Sequence, residues 1–244
     1  MSDNRHTIPS HFVGGSALHT AFDTRAKPLA RKRVRQIPSP SPKLAESSFD
    51  LMGSPKWFGR NEEVYGEREP ADYVYLVMAG SIRTFRTLND GCRQVAAFYL
   101  PGDFFGLEQH DEHSLSAEAI TRSKVRVIKR KTLFARATEN ISIINRLLEL
   151  TLLELKRTQD HNLLMLRSAQ KRVVGFLLEI AEREQNQSEI VLPMPRRDIG
   201  DYLGLTVETV SRMLGRLESA CAISTIKRRL VILRNFSMLE ELNA

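Results

Sequence analysis

The chain has 244 residues, 42% of them hydrophobic, so a normal core of one large or two small domains is within reach. The net charge of +7 fits an anionic partner, and two cysteines exclude a disulfide framework and a cysteine-rich metal site. No apolar run is long enough to span a bilayer, and the polar N-terminus lacks a signal-peptide core. The simplest reading is a cytoplasmic, non-membrane protein.

Residues 1–48 read as a disordered basic tail. Pro38, Pro40 and Pro42 alternate and forbid regular pairing. Arg31, Lys32, Arg33 and Arg35 form a solvated charge run with at most non-specific phosphate affinity. From residue 49 to 137 the texture changes to short strands. Tyr73–Met78 is a compact apolar run, and Ala79-Gly80-Ser81 is a turn. Ile82–Leu88 alternates apolar and polar residues, and Asn89-Asp90-Gly91 then signals a hairpin. Gln94–Leu100 is a further strand closed by Pro101-Gly102-Asp103, and Lys124–Ile128 alternates again. This spacing predicts an antiparallel barrel or roll. His110 and His113 read as loop residues.

A helical period follows. Lys131–Ala137 is a short helix, and Asn140 is placed to cap its successor. Over residues 138–167, Leu148, Leu152, Leu155 and Leu166 recur at spacings of three and four, the pattern of a coiled-coil seam. Gln159 and Asn162 interrupt it with polar groups that can fix register. The seam predicts a homodimer; its bland alternative is a helix packed on its own barrel.

Residues 168–244 complete the chain. Ser168–Glu184 is an amphipathic helix. Arg196–Arg216 reads RRDIGDYLGLTVETVSRMLGR, which has the pattern of a helix-turn-helix. Ile199, Leu203, Leu205, Val207, Val210 and Leu214 supply apolar contacts. Gly200 permits close approach, Gly204 can take the positive φ of the turn, and Thr206 is a natural N-cap. Glu208, Ser211 and Arg212 share the outward face. Arg suits guanine and Glu suits the cytosine amine in a major groove. Thr209, Arg196, Arg197 and Arg216 join Thr206 as further candidate contacts to double-stranded DNA. Ile190–Leu192 and Lys227–Leu233 read as small flanking strands, giving a winged helix and an α+β protein overall. Cys221 follows the reading helix and is a redox candidate if Lys227, Arg228 and Arg229 lie close; otherwise it is a small buried core residue. Cys92, beside a hairpin turn, reads as exposed and far from the reader.

The roll motif YVYLVMAGSIRTFRTLNDGCRQVAAFYLPGDFFGL, the long helix and the reader motif RRDIGDYLGLTVETVSRMLGRLE together resemble the CRP/FNR-type transcription regulators, FixK branch. The resemblance covers about Phe49–Phe236. It implies that Glu208, Ser211 and Arg212 read the TTGA half-site of a TTGA-N6-TCAA palindrome. It also implies activation by contact with RNA polymerase, through loops around Gln109–His113 or Glu184–Ser188, in nitrogen-fixation or related low-oxygen circuits. Two family devices are missing. Where members that bind cyclic nucleotides carry an Arg-Ser pair, this chain has Glu112-His113-Ser114 after Gly106-Leu107-Glu108, so no guanidinium pairs the phosphate. Four thiolates for an iron–sulfur cluster cannot come from Cys92 and Cys221. No cofactor is therefore expected. Two alternatives stay open: a regulator gated by another small ligand in the roll, and a cupin-like enzyme. The enzyme is disfavoured because no H-x-H pairing with a downstream Glu and His appears in the roll.

Overall fold

A computed structural model describes residues 52–226 and 229–244; the basic tail and the Lys227-Arg228 pair lie outside them. Two four-stranded antiparallel sheets open the fold. One runs β1(Ser54–Phe58), β8(Ser123–Lys129), β3(Tyr73–Ala79), β6(Phe104–Phe105). The other runs β2(Glu63–Tyr65), β7(Ser116–Ala119), β4(Ile82–Thr87), β5(Arg93–Tyr99). Phe58, Tyr75, Val77 and Val125 of the first share a core with Tyr65, Ile82, Tyr99 and Ala117 of the second. The β4–β5 hairpin forms at Asn89-Asp90-Gly91, where Gly91 takes φ 78° and Asp90 accepts a bond from the Cys92 N–H.

The other face of β3 is not wet. Val74 and Leu76 pack with Leu133 and Ala137 of α1(Arg130–Glu139) and Ile143 of α2(Ile141–Met165). A strand covered on both faces reads as a continuous apolar run, which explains the Tyr73–Met78 pattern. The alternation expected over Ile82–Leu88 is not realised. Ile82, Arg83 and Thr84 are all buried, because the second face of β4 is closed by the C-terminal domain.

Asn140 caps α2 by accepting from the Ser142 N–H. One side of α2 rests on the chain's own roll: Leu147 and Leu150 join the roll's outer cluster, Tyr99 donates to Glu154 at 3.1 Å, and Arg157 pairs with Asp103 at 3.0 Å. The opposite side is bare. Leu148, Leu152 and Leu155 are each more than half exposed and Leu166 is 84% exposed. Gln159 and Asn162 are exposed on the same stripe, and Ile141 and Ile144 extend it to the helix start. The packed reading of the helix thus holds for one face, and the face that carries the leucine seam is exposed.

The C-terminal domain is built from α3(Ala169–Glu184), α4(Arg196–Leu203), α5(Val207–Ser219), α6(Phe236–Asn243) and a small sheet ordered β10(Ile223–Ile226), β11(Leu230–Leu233), β9(Glu189–Val191). Ser168 caps α3, as a Ser before an amphipathic run should. The single strand expected over Lys227–Leu233 is instead one arm of a hairpin: β10 ends before it and β11 starts at Leu230. Val95, Phe98, Leu100 and Ile120 of the roll share one core with α3, α4 and α5. No described helix is long and apolar enough to cross a membrane.

Candidate nucleic-acid interface

The turn between α4 and α5 follows from three residues. Gly204 holds φ 61°, a left-handed conformation that costs glycine nothing. The Leu205 N–H returns to the Gly200 carbonyl at 3.0 Å, and a Cβ on Gly200 would meet the Leu205 oxygen at 2.6 Å. Thr206 then caps α5, its hydroxyl accepting from the Thr209 N–H at 3.2 Å. Val210, Met213, Leu214 and Leu217 turn inward, so the rest of α5 faces out.

These backbone demands give two opposite expectations for alanine. Gly200→Ala forces backbone against backbone and should cost about 1–3 kcal/mol. At roughly 2–4 °C per kcal/mol for a chain of this size, the melting temperature drops several degrees. Gly215, inside α5 with nothing within 4 Å of an added Cβ, should respond to the same change with a small rise, because alanine is the better helix former. Two melting curves by circular dichroism check both signs.

On the outward face Glu208 and Arg212 are exposed one turn apart, about 6 Å along the helix axis. Hydrogen bonds from the Glu208 backbone N–H and the Thr206 hydroxyl hold the Glu208 carboxyl below its usual range, so it is an acceptor at neutral pH. The side chains also organise one another. The Arg212 guanidinium donates to the Thr209 hydroxyl at 3.3 Å, and Thr209 meets Thr206 at 3.2 Å. Arg196, at the start of α4, donates to Ser211 at 3.3 Å. Arg197, next to Arg196 in α4, and Arg216, one turn beyond Arg212 in α5, are exposed. Glu208, Thr209, Ser211 and Arg212 thus share one helix face, with Thr206 at its N-terminus and Arg196 beside Ser211.

Cys221 departs from the expected buried position. It is exposed, with φ 56°, just beyond the C-terminus of α5. Thirteen residues separate it from Glu208, about 20 Å at helical rise, so it does not belong to the group around the N-terminus of the reading helix. Cys92 is exposed, as expected, but it is not far from the reader, since Asp201 of α4 acts on its thiol and is held by the adjacent Arg93. Asp90 raises the Cys92 pKa, disfavouring the reactive thiolate.

Two histidines matter more than the sequence showed. His113 is buried, and its ring stacks on Tyr65 with centroids 3.5 Å apart and planes at 11°. Tyr65, Tyr75, Phe105 and Tyr99 continue the stack at 5.0–5.2 Å between successive partners. The position expected to be a plain loop residue therefore plugs the interior of the roll. His161 on α2 stacks on Tyr202 of α4 at 4.2 Å, joining the long helix to the reader. Its only sequence signal is an aromatic-compatible residue on the packed side of an amphipathic helix.

Burial, and for His161 the nearby Arg172, lowers the pKa of His161 below its ordinary value of 6.5, and burial also lowers that of His113. Both rings are favoured in the neutral form. Their stabilising contribution is intact above about pH 6.5 and is lost as pH falls through the depressed folded values. Melting temperature should therefore decline on acidification. His161→Phe, which keeps the stacking, should make that decline shallower; an identical pH profile would show that His161 does not contribute to it.

A sequence profile of Crp-like helix-turn-helix domains matches residues 171–242, and one of cyclic nucleotide-binding domains matches residues 55–140. The nitrogen fixation regulation protein FixK of Azorhizobium caulinodans is 42% identical, covering 98% of this chain and 92% of its own length. The chain belongs to the CRP/FNR family of transcription regulators. FixK of Rhizobium meliloti is 40% identical over 66% of this chain and 74% of its own. The structure of FixK2 from Bradyrhizobium japonicum superposes with a TM-score of 0.75 at 45% identity, covering 80% of this chain and 98% of that one. These relatives are regulators, so the cupin-like enzyme is set aside. The regulator binds DNA through its helix-turn-helix domain.

Proposed function

We propose that the regulator is a homodimer that activates transcription, acting in the cytoplasm without cyclic nucleotide or iron–sulfur cluster. Its target is a TTGA-N6-TCAA-type palindrome. Glu208, Ser211 and Arg212 make the base contacts, while Arg196, Arg197, Arg216, Thr206 and Thr209 support the helix or meet phosphates. The carrying observation is the exposed Glu208–Arg212 pair on a capped helix. Neither residue has a packing role there. Both have the donor and acceptor chemistry of a G·C pair. The FixK relatives are named nitrogen fixation regulation proteins, which favours circuits of that kind for this chain. Activation implies contact with RNA polymerase.

The ligand-free reading is supported by the roll interior. A cyclic phosphate asks for a bidentate cation. Here the His113 ring, neutral at physiological pH, is stacked flat on Tyr65 and shut away from solvent. The Glu108 carboxylate accepts from the Ser114 N–H and hydroxyl at 3.3 and 3.0 Å, so both serine donors are already engaged. Titrating cyclic AMP or cyclic GMP into the regulator should leave its melting temperature unchanged. A ligand at a hundred times its Kd would add about 2.7 kcal/mol and be plain in the melting curve. Such a rise would establish an effector-gated regulator instead.

A further inference from the structure

The reader is joined to the roll by a buried ion network that base reading does not use. Asp198, in the first turn of α4, has a side chain only 2% exposed. One carboxylate oxygen meets the Arg83 guanidinium of β4 at 2.5 Å, and the other is bonded by Arg93 of β5. Arg93 also holds Asp201, one turn further along α4, through Nη2 at 2.8 Å and Nε at 3.0 Å. Arg83 is itself fixed by Glu118 of β7 at 2.9 Å. We infer that the Asp198–Arg83–Arg93 network is a clamp that sets the angle at which each protomer presents α5, and so fixes the half-site spacing the dimer accepts.

Two kinds of contact join α4 to the roll, and they constrain it differently. Tyr202 rests on Phe98 with ring centroids 5.1 Å apart, and Ile199 and Leu203 share the core that includes Val95. Apolar burial is non-directional and tolerates rotation. A guanidinium–carboxylate pair is planar and fixes direction, and one shut away from solvent is weakly screened. Asp198 and Asp201 are three residues apart on α4, so two carboxylates held by Arg83 and Arg93 stop the helix from turning about its own axis. The tight Gly200–Gly204 turn carries that orientation to α5.

The inference rests on the DNA reading proposed above. Dimeric helix-turn-helix proteins meet half-sites one helical turn apart, about 34–36 Å. One base pair more or fewer rotates a half-site by about a tenth of a turn and shifts it by about 3.4 Å. A clamped reader cannot follow that change, whereas a released one can. Asp198 and Arg93 are thus positioning residues that touch no base.

The test uses the full chain and two separate variants, Asp198→Asn and the less buried Arg93→Gln. Affinity is measured for duplexes whose TTGA and TCAA are separated by five, six or seven bases. A six-base duplex with both TTGA guanines replaced reports base discrimination. Wild type should prefer six bases by about tenfold or more. In the variants that preference should shrink to within about threefold, while discrimination at guanine stays at the wild-type ratio. Unchanged spacing preference in both variants overturns the clamp. So does parallel loss of spacing and guanine discrimination, since the network would then merely hold the fold. A wild type that reads guanine but ignores spacing also rejects the clamp. A wild type indifferent to both rejects the DNA reading itself.

Discussion

Arg212→Ala should leave the melting temperature nearly unchanged and flatten preference at the guanine of TTGA. Arg212 is exposed, and exposed substitutions usually stay within about 0.5 kcal/mol of stability. Its loss from a base contact is larger, about 1–3 kcal/mol of discrimination per half-site. A dimer reads each position twice, so the effect per palindrome should be about double. Glu208→Ala should flatten preference at the cytosine paired with that guanine or its neighbour. Thr209→Val gives a graded companion. It removes the hydroxyl that receives Arg212 but leaves the guanidinium, so the guanine preference should weaken without vanishing. Affinities against a panel of single-base variants decide the matter. Uniform loss across the panel would show that these side chains only seat the helix.

Replacing Leu152 and Leu155 together with glutamate should turn a dimer into a monomer. Both side chains are more than half exposed on the bare stripe of α2, so the monomer fold does not need them. Each leucine buried by a partner helix would contribute about 1.5–3 kcal/mol, and a carboxylate there must be desolvated instead. Sedimentation should show one protomer, and palindrome affinity should collapse because two half-sites are no longer linked. The melting of the separated chain should stay cooperative, since Leu147 and Leu150 on the opposite side are untouched. A variant that remains dimeric would place the interface elsewhere. Gln159→Leu in the same stripe should do the reverse, tightening the dimer while relaxing its register.

The parts of this fold legible in the sequence are those governed by local chemistry. Gly204, Gly200 and Thr206 announce the helix-turn-helix because a left-handed turn, a close approach and an open helix end each admit few residue types. The hairpin at Asn89-Asp90-Gly91 and the Asn140 cap are legible for the same reason. The stripe from Leu148 to Leu166 shows because its leucines keep the helical spacing on either side of Gln159 and Asn162.

What stayed hidden depends on partners far away in the chain. Arg83 looked like the polar half of an alternating strand, yet it is buried because Asp198, 115 positions on, neutralises it. His113 is the loop residue it looked like, but its burial was hidden because its stacking partner Tyr65 lies on a strand far back in the chain. Cys221 looked like core, but it sits at positive φ just beyond the helix end, where its side chain points out. An arginine at the start of the otherwise half-buried β4 was the one available hint. It marks where two domains meet as readily as where a strand meets water.

Untreated, metal-free regulator, with no added small molecule, is titrated against a TTGA-N6-TCAA duplex and against the same duplex with its guanines and their paired cytosines exchanged. Two protomers should bind the palindrome saturably, tighter by at least about a hundredfold than the exchanged duplex, as a few kcal/mol of base discrimination requires. Equal affinity for the two duplexes, or binding that appears only once a nucleotide or metal is added, would contradict the proposed function.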